Sequence, residues 1–240
     1  MNQEHQWLLN DKYNGIETLE FHNDIKRLES GEPLAYVIGW QPFCGTKIYL
    51  DSHPLIPRPE TEYWTKLAIE EIKKKQHPHV LDLCAGSGCV GVAVLKAIPD
   101  STVDFVEMDE THHSTIKKNI HENNIDEKRA RIIGGNLFEY ITDQYDVILT
   151  NPPYINPELS DRIGAGVRGY EPDLALFGGD TGMELIREIL LKSSQFLKPG
   201  GVLYMEHEPE QAEEIQQLLP GIISHLDQFG VIRFSVYYNK

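Results

Sequence analysis

From His79 onward the sequence alternates between short apolar runs and longer helical ones, and this alternation leaves few architectures open. Val80-Leu81-Asp82-Leu83, Val103-Asp104-Phe105-Val106, Ala130-Arg131-Ile132-Ile133, residues 146–150 and Val202-Leu203-Tyr204-Met205 read as buried strands. Between them lie an apolar helix over Val90–Ile98, a polar one from Thr111 to about Asn123, and one from Met183 to Phe196 that Thr181 is placed to cap. Strands separated by helices pair in parallel, because a crossover of that length returns the chain to the same sheet. Lys198-Pro199-Gly200-Gly201 reads as a turn before the fifth strand. After a helix over Glu210–Leu219, Ile222–Leu226 and Val231–Val236 are joined by Asp227–Gly230, which makes them an antiparallel hairpin. The expectation is an α/β chain: a mostly parallel sheet with helices on both faces.

The fourth strand has an unusual ending. Tyr145–Thr150 runs into Asn151-Pro152-Pro153-Tyr154, and two prolines remove two ladder donors and fix φ. The chain is thus held stiffly just past the carboxyl end of a strand, where open α/β sheets place their ligands. Asn151 offers a side-chain acceptor and donor, Pro152 keeps a free carbonyl, and Tyr154 supplies a flat ring with a polar tip. The set suits a planar group bearing an NH2, either a carboxamide or the exocyclic amine of adenine. Asn151, Pro152 and Tyr154 are the candidate catalytic residues, and Pro153 completes the substrate contact. The competing assignment is a plain proline-rich turn.

A second loop follows the first strand: Asp82-Leu83-Cys84-Ala85-Gly86-Ser87-Gly88-Cys89. Gly86 and Gly88 allow a sharp turn and close approach of backbone to a ligand. Glu107 ends the next strand about 20 residues later, where a carboxylate can bind ribose hydroxyls, with Asp109 two residues on. Together they point to an adenosine-type cofactor. No Walker lysine follows, which counts against a triphosphate.

The 240 residues suffice for one full core with a small appendage. Residues 1–32 read as two polar helices broken at Asn14-Gly15. Residues 33–60 read as two short strands, Leu34–Trp40 and Thr46–Leu50, followed by a stiff linker over Pro54–Pro59. A helix opens at Pro59 or Thr61 and runs to about Lys75, so residues 61–240 carry the main domain. No apolar run approaches a membrane span, and the N-terminus has no signal-peptide pattern. Three cysteines make no disulfide framework, so a cytoplasmic location is expected. The formal charge of −15 argues against broad binding to a phosphate backbone, so direct nucleic-acid binding is not expected.

With both loops in hand, the chain resembles the class I S-adenosylmethionine-dependent methyltransferases that act on a planar nitrogen. More closely, five blocks are similar to the peptide chain release factor glutamine N5-methyltransferases. They are Pro33–Gly39, Leu55-Ile56-Pro57-Arg58-Pro59-Glu60-Thr61-Glu62, Tyr145–Ile155, Glu171–Gly179 and Lys198–Gly201, and they cover most of the chain. The resemblance implies a Rossmann-like seven-stranded sheet of order 3-2-1-4-5-7-6 with strand 7 antiparallel. It implies S-adenosylmethionine as cofactor, S-adenosylhomocysteine as product, and a release factor as protein partner. By the same resemblance Asp82, Cys84, Ala85, Gly86, Ser87, Gly88, Glu107, Asn136 and Leu137 line the cofactor, and Asn151 touches cofactor and substrate. Asn136 stands where the family often has Asp, Glu107 where it usually has Asp, and Met205–Glu208 where it usually has Glu-Ile-Gly. The family also carries a larger N-terminal helical domain than the 32 residues ahead of the first block.

Arg58 is a candidate substrate or cofactor contact, with an ion pair to Glu60 or Glu62 as the competing assignment. Cys84 and Cys89 read as packing residues rather than nucleophiles. His207 lies near the ligand edge, but a lone histidine is more often structural. Neither His112-His113 nor His77/His79 has further ligands at metal spacing, so no metal is expected. Two other readings stay open here: an adenine N6-methyltransferase on RNA or DNA, and a cofactor-binding scaffold without catalysis.

Overall fold

The computed structural model describes residues 2–162, 164 and 169–240. Its centre is a seven-stranded sheet of β3 (His79–Leu83), β4 (Thr102–Glu107), β5 (Ala130–Gly134), β6 (Tyr145–Thr150), β7 (Leu197–Glu206), β8 (Ile223–Leu226) and β9 (Ile232–Tyr238). The spatial order is β5-β4-β3-β6-β7-β9-β8. Counted within this sheet alone, that is the expected order 3-2-1-4-5-7-6. The first five strands pair in parallel, and β9 lies antiparallel to both β7 and β8.

Period-two alternation explains the two-sided core. Val80, Val147, Leu149, Val202 and Tyr204 pack into one apolar cluster, while Leu81, Leu83, Ile148, Leu203 and Met205 pack into the other. The first cluster is covered by α4 (Pro59–Ile72), α5 (Cys89–Ala97) and α6 (His113–Glu122), the second by α8 (Glu184–Phe196) and α9 (Ala212–Leu218). Helix α5 is apolar nearly all round, as a helix buried on several sides must be.

Ahead of this layer come α1 (Gln3–Tyr13), α2 (Leu19–Glu29), α3 (Leu34–Ile38) and a hairpin of β1 (Trp40–Phe43) and β2 (Thr46–Tyr49). Leu8, Leu9, Phe21 and Val37 form a small apolar cluster of their own. The hairpin is pinned to the main layer by two amides, one in α6 and one at its C-cap. Asn119 accepts from Tyr49 N–H at 2.7 Å and donates to its carbonyl at 3.1 Å, and Asn123 does the same for Lys47 at 3.0 and 2.8 Å.

Three local expectations are corrected. The strand predicted over Leu34–Trp40 is largely helix α3. Pro33 starts the helix with its carbonyl taken by Tyr36 and Val37, and Gly39, at φ 93°, ends it. Lys198–Gly201 is not a separate turn but an irregularity inside β7, whose register against β6 jumps from Tyr145↔Leu197 to Val147↔Val202. The helix expected to be capped by Thr181 instead has Met183 at its N-cap; the Thr181 hydroxyl accepts from Met183 N–H at 3.4 Å, two residues ahead of that cap. Of the loop predicted after Tyr154, residues 163 and 165–168 lie outside the described residues; α7 (Asp173–Leu176) occupies part of the rest. Among the described residues no helix is long and apolar enough to cross a membrane.

Candidate active site

The carboxyl ends of β3, β4, β5 and β6 all open toward one side, and two adjoining cavities lie there. One, of about 300 Å³, is lined by Cys84, Gly86, Glu107, Asn136, Leu137 and Pro153, and is covered by Pro172, Leu174 and Phe177. The other, of about 650 Å³, is lined by Arg58, Pro152, Tyr154, Arg187, Glu208 and Gln211 among others. Asn151 borders both. The Asn-Pro-Pro-Tyr segment therefore forms the partition between them.

The loop after β3 is held from behind. Asp82 is buried and accepts from Gly91 N–H at 2.8 Å. Burial pushes its carboxyl up to about 8, against the pull of that N–H and helped by the nearby Glu107 charge. Ser87 is buried, and its carbonyl accepts from Asn119 at 2.9 Å. Ala85 and Gly88 also lie beneath the cavity lining, with Gly88 packed over Ile116. Of the loop residues expected to line the cofactor, the structure brings Cys84 and Gly86 to the cavity and sets Asp82, Ala85, Ser87 and Gly88 behind it. The reason is the tight turn itself: a backbone that curls around a ligand turns alternate side chains into the core. Gly86 has φ 54°, and a Cβ there would meet nothing within 4 Å, so the absent side chain leaves open space in the cavity.

Glu107 ties β4 to this loop. One carboxylate oxygen accepts from Gly86 N–H at 2.7 Å, the other from Asp109 N–H at 2.8 Å. Each oxygen retains a lone pair for a further donor. Asp109 also lines this cavity, and its Oδ1 caps the following turn, accepting from both the N–H and the hydroxyl of Thr111 at 2.9 and 2.6 Å. Cys84 and Leu137, facing the same cavity, are non-glycine residues at φ 61° and 48°. Such conformations cost roughly 1–3 kcal/mol each and cluster at ligand sites. Burial pushes the Cys84 and Cys89 thiols well up, so neither is a ready nucleophile.

The partition is braced by residues far away in sequence. Glu206, at the end of β7 and 1% exposed, accepts from Thr61 Oγ1 at 2.7 Å, Trp64 Nε1 at 2.7 Å and Tyr154 Oη at 3.0 Å. Burial raises its carboxyl above the usual range, opposed by those three donors and Arg233. Burial and the Glu206 charge hold the Tyr154 phenol neutral. Thr61 in turn accepts from Asn151 Nδ2 at 3.2 Å. Gln211 donates to the Tyr154 carbonyl at 2.9 Å. The sequence alone does not mark Thr61, Glu206 or Gln211 as site residues. The available signal is an acid, Glu206, closing the apolar run Val202–Met205.

Arg58 lines the larger cavity but pairs with neither Glu60 nor Glu62. Its guanidinium lies 2.7 Å from the buried Glu171 carboxylate, which also accepts from Ile56 N–H. Glu62 is engaged elsewhere, with Cys44 N–H and Lys66. His207 is fully buried between the Glu208 carbonyl and the Ser235 hydroxyl, and desolvation lowers it to about 4, so it packs rather than titrates near neutrality.

Comparison with known proteins agrees with this geometry. The family model described as "Methyltransferase small domain" matches residues 59–164. Release factor glutamine methyltransferases from Rhodopirellula baltica and Francisella tularensis are 35% and 36% identical to this chain. The matches cover 79% and 81% of it and 66% and 68% of those proteins. The chain thus spans about two thirds of the length of these relatives. A 16S rRNA methyltransferase of T. thermophilus, solved with AdoMet and guanosine, superposes with a TM-score of 0.59 over 84% of this chain and 50% of that one. At 16% identity it shares the fold alone. A Rossmann-like sheet with the Asn-Pro-Pro-Tyr partition, and 36% identity over most of the chain and about two thirds of the relative, place the chain in the release factor glutamine methyltransferase family.

Proposed function

We propose that the chain transfers a methyl group from S-adenosylmethionine to the side-chain amide nitrogen of a protein glutamine, the Gly-Gly-Gln glutamine of a peptide chain release factor. The observation that carries this reading is Asn151, which borders both cavities and turns its amide nitrogen toward Thr61.

The smaller cavity fits the cofactor's chemistry. Val106, Leu137 and Phe177 offer apolar walls for a flat base, Glu107 offers lone pairs to ribose hydroxyls, and Gly86 leaves open space for backbone contact. Cys84, Gly86, Glu107, Asn136 and Leu137 would hold the group. When bound it supplies a methyl on a sulfonium, an already activated leaving group, so no metal is called for.

The chain's own residues supply positioning. A carboxamide nitrogen is a poor nucleophile because its lone pair is delocalised. Asn151 Oδ1 and the Pro152 carbonyl accept its two N–H bonds and hold the nitrogen at the partition; as the methyl moves and a neutral thioether is left, the nitrogen gives up one of those protons to solvent. The Tyr154 ring covers the amide plane, its hydroxyl anchored on Glu206. Positioning of this kind contributes roughly 7–11 kcal/mol to lowering a barrier. Arg58, held by Glu171, lies on the wall of the substrate cavity. Residues 1–32 form, in this reading, an appendage that helps grip the substrate protein, 33–60 a connecting hairpin and linker, and 61–240 the methyltransferase domain. A cytoplasmic location follows from a translation substrate.

The test is methyl transfer from labelled S-adenosylmethionine to a release factor. The same factor with its Gly-Gly-Gln glutamine changed to Ala, and adenine-containing RNA and DNA, serve as the other arms. Label on the intact factor alone is the expected result. Label on nucleic acid, or on the altered factor, overturns it.

A further inference from the structure

The two ends of an asparagine amide have the same shape and opposite chemistry, and here the surroundings choose between them. The indole N–H of Trp64 can only donate, so Glu206 Oε2, which it meets at 2.7 Å, is an acceptor there. Thr61 has one hydroxyl proton, and at 2.7 Å it goes to Glu206. What Thr61 Oγ1 then presents to Asn151, 3.2 Å away, is a lone pair. Only the NH2 end of Asn151 can face it. The reverse orientation sets two acceptors against each other in a partly buried place, which forfeits a hydrogen bond and leaves both unsatisfied.

Resting on the reading that Asn151 meets the substrate amide, we propose that Thr61 and Glu206 are positioning residues that set the polarity of Asn151. They turn its Oδ1 toward the substrate and so make the site select glutamine over glutamate. Oδ1 and the Pro152 carbonyl are two acceptors, and they match the two N–H bonds of a carboxamide. A glutamate carboxylate brings only acceptors and a charge, and would face both oxygens with nothing to donate. Without the Thr61 lone pair the Asn151 amide is free to turn over. Its NH2 then meets the substrate cavity and accommodates a carboxylate. Specificity at the partition is thus controlled from α4 and from the end of β7, two elements that share no sequence neighbourhood.

The experiment compares wild type, Thr61→Val and Thr61→Ser on three readouts, with thermal melts to establish folding. The first readout follows the Asn151 side-chain NH2 resonances in 15N spectra, assigned by their loss in Asn151→Ala. They should exchange slowly in wild type and Thr61→Ser, and about tenfold or more faster in Thr61→Val, since one hydrogen bond is lost. The second is binding of a release factor carrying Gln or Glu at the Gly-Gly-Gln position. The preference for Gln should shrink roughly tenfold in Thr61→Val and be restored in Thr61→Ser. The third is methyl transfer, which should fall in kcat with cofactor affinity unchanged. Unmoved NH2 resonances in a folded Thr61→Val overturn the proposal whatever the activity, as does a Gln preference that survives. If wild type does not methylate the factor at all, the proposed function fails, and the resonances still decide which way Asn151 faces. Should Thr61→Val not fold, Thr61→Ala is measured by the same resonances.

Discussion

Glu107 Oε2 accepts the backbone N–H of Gly86 at 2.7 Å, so the last residue of β4 fixes the loop after β3. One carboxylate thereby shapes the cofactor loop and presents its remaining lone pairs to the same cavity. Glu107→Gln removes the charge and turns one acceptor into a donor. Affinity for S-adenosylhomocysteine, measured by calorimetry, should weaken roughly 10-fold or more, the loss of a charge-assisted hydrogen bond. Asp109→Asn should change it less, because one oxygen of that carboxylate is already taken twice by Thr111. Equal losses in the two variants would give the ribose contact to Asp109.

Asn151→Ala separates binding from chemistry. The variant keeps Glu107, Gly86 and Leu137, so cofactor affinity should stay within roughly threefold. Turnover should drop by about 100-fold or more, because the nucleophile loses its orientation. Single-turnover methyl transfer read beside calorimetry gives both numbers. Retained turnover would remove Asn151 from the mechanism.

The opposite end of the sheet carries a pH-dependent brace. Asp104 is buried in β4 and meets His79 at 3.1 Å, Tyr145 at 2.7 Å and Arg131. Burial alone would raise its carboxyl, but hydrogen bonds from those three outweigh it and hold it at about 2, below the ordinary 3.8. The unfolded chain therefore takes up the proton first as pH falls. The resulting stability, roughly 2 kcal/mol for a shift of this size, is present above the unfolded value and is lost as pH drops through the folded one. Denaturant midpoints measured from about pH 5 down to about pH 2 should fall less steeply in Asp104→Asn than in wild type.

Gly91 lies within α5, where alanine ordinarily stabilises a helix by up to about 1 kcal/mol. Here a Cβ would collide with the Phe105 ring and with Val103, both fully buried on β4. Overpacking of this kind costs roughly 1–3 kcal/mol, so the collision wins and Gly91→Ala should lower the denaturant midpoint. An unchanged midpoint would mean that Phe105 has room to move.

The alternation of apolar runs with helices determined the parallel sheet, because burial on both faces demands it. The hairpin at the end of the chain was legible for a similar reason: Asp227–Gly230 is too short for anything but an antiparallel return. The stop at Asn151-Pro152-Pro153-Tyr154 and the acid Glu107 were legible because proline chemistry and strand-end position are local properties. Tertiary structure decided what depends on distant partners. Leu34–Ile38 is helical because its buried face has Leu8 and Phe21 to pack beside, which local propensity does not report. Arg58 finds Glu171 across 113 residues of sequence rather than its neighbours. Asp82 and Ser87 belong to the motif that marks the loop, yet the curl of that loop turns them into the core. The polarity of Asn151 depends on Thr61, 90 residues earlier, and through it on Glu206, 145 residues beyond Thr61. A hydrogen-bond chain of that span exists only once the sheet and α4 have come together, so the sequence alone determined the strand ends that border the two cavities, and the fold determined which way the side chains there face.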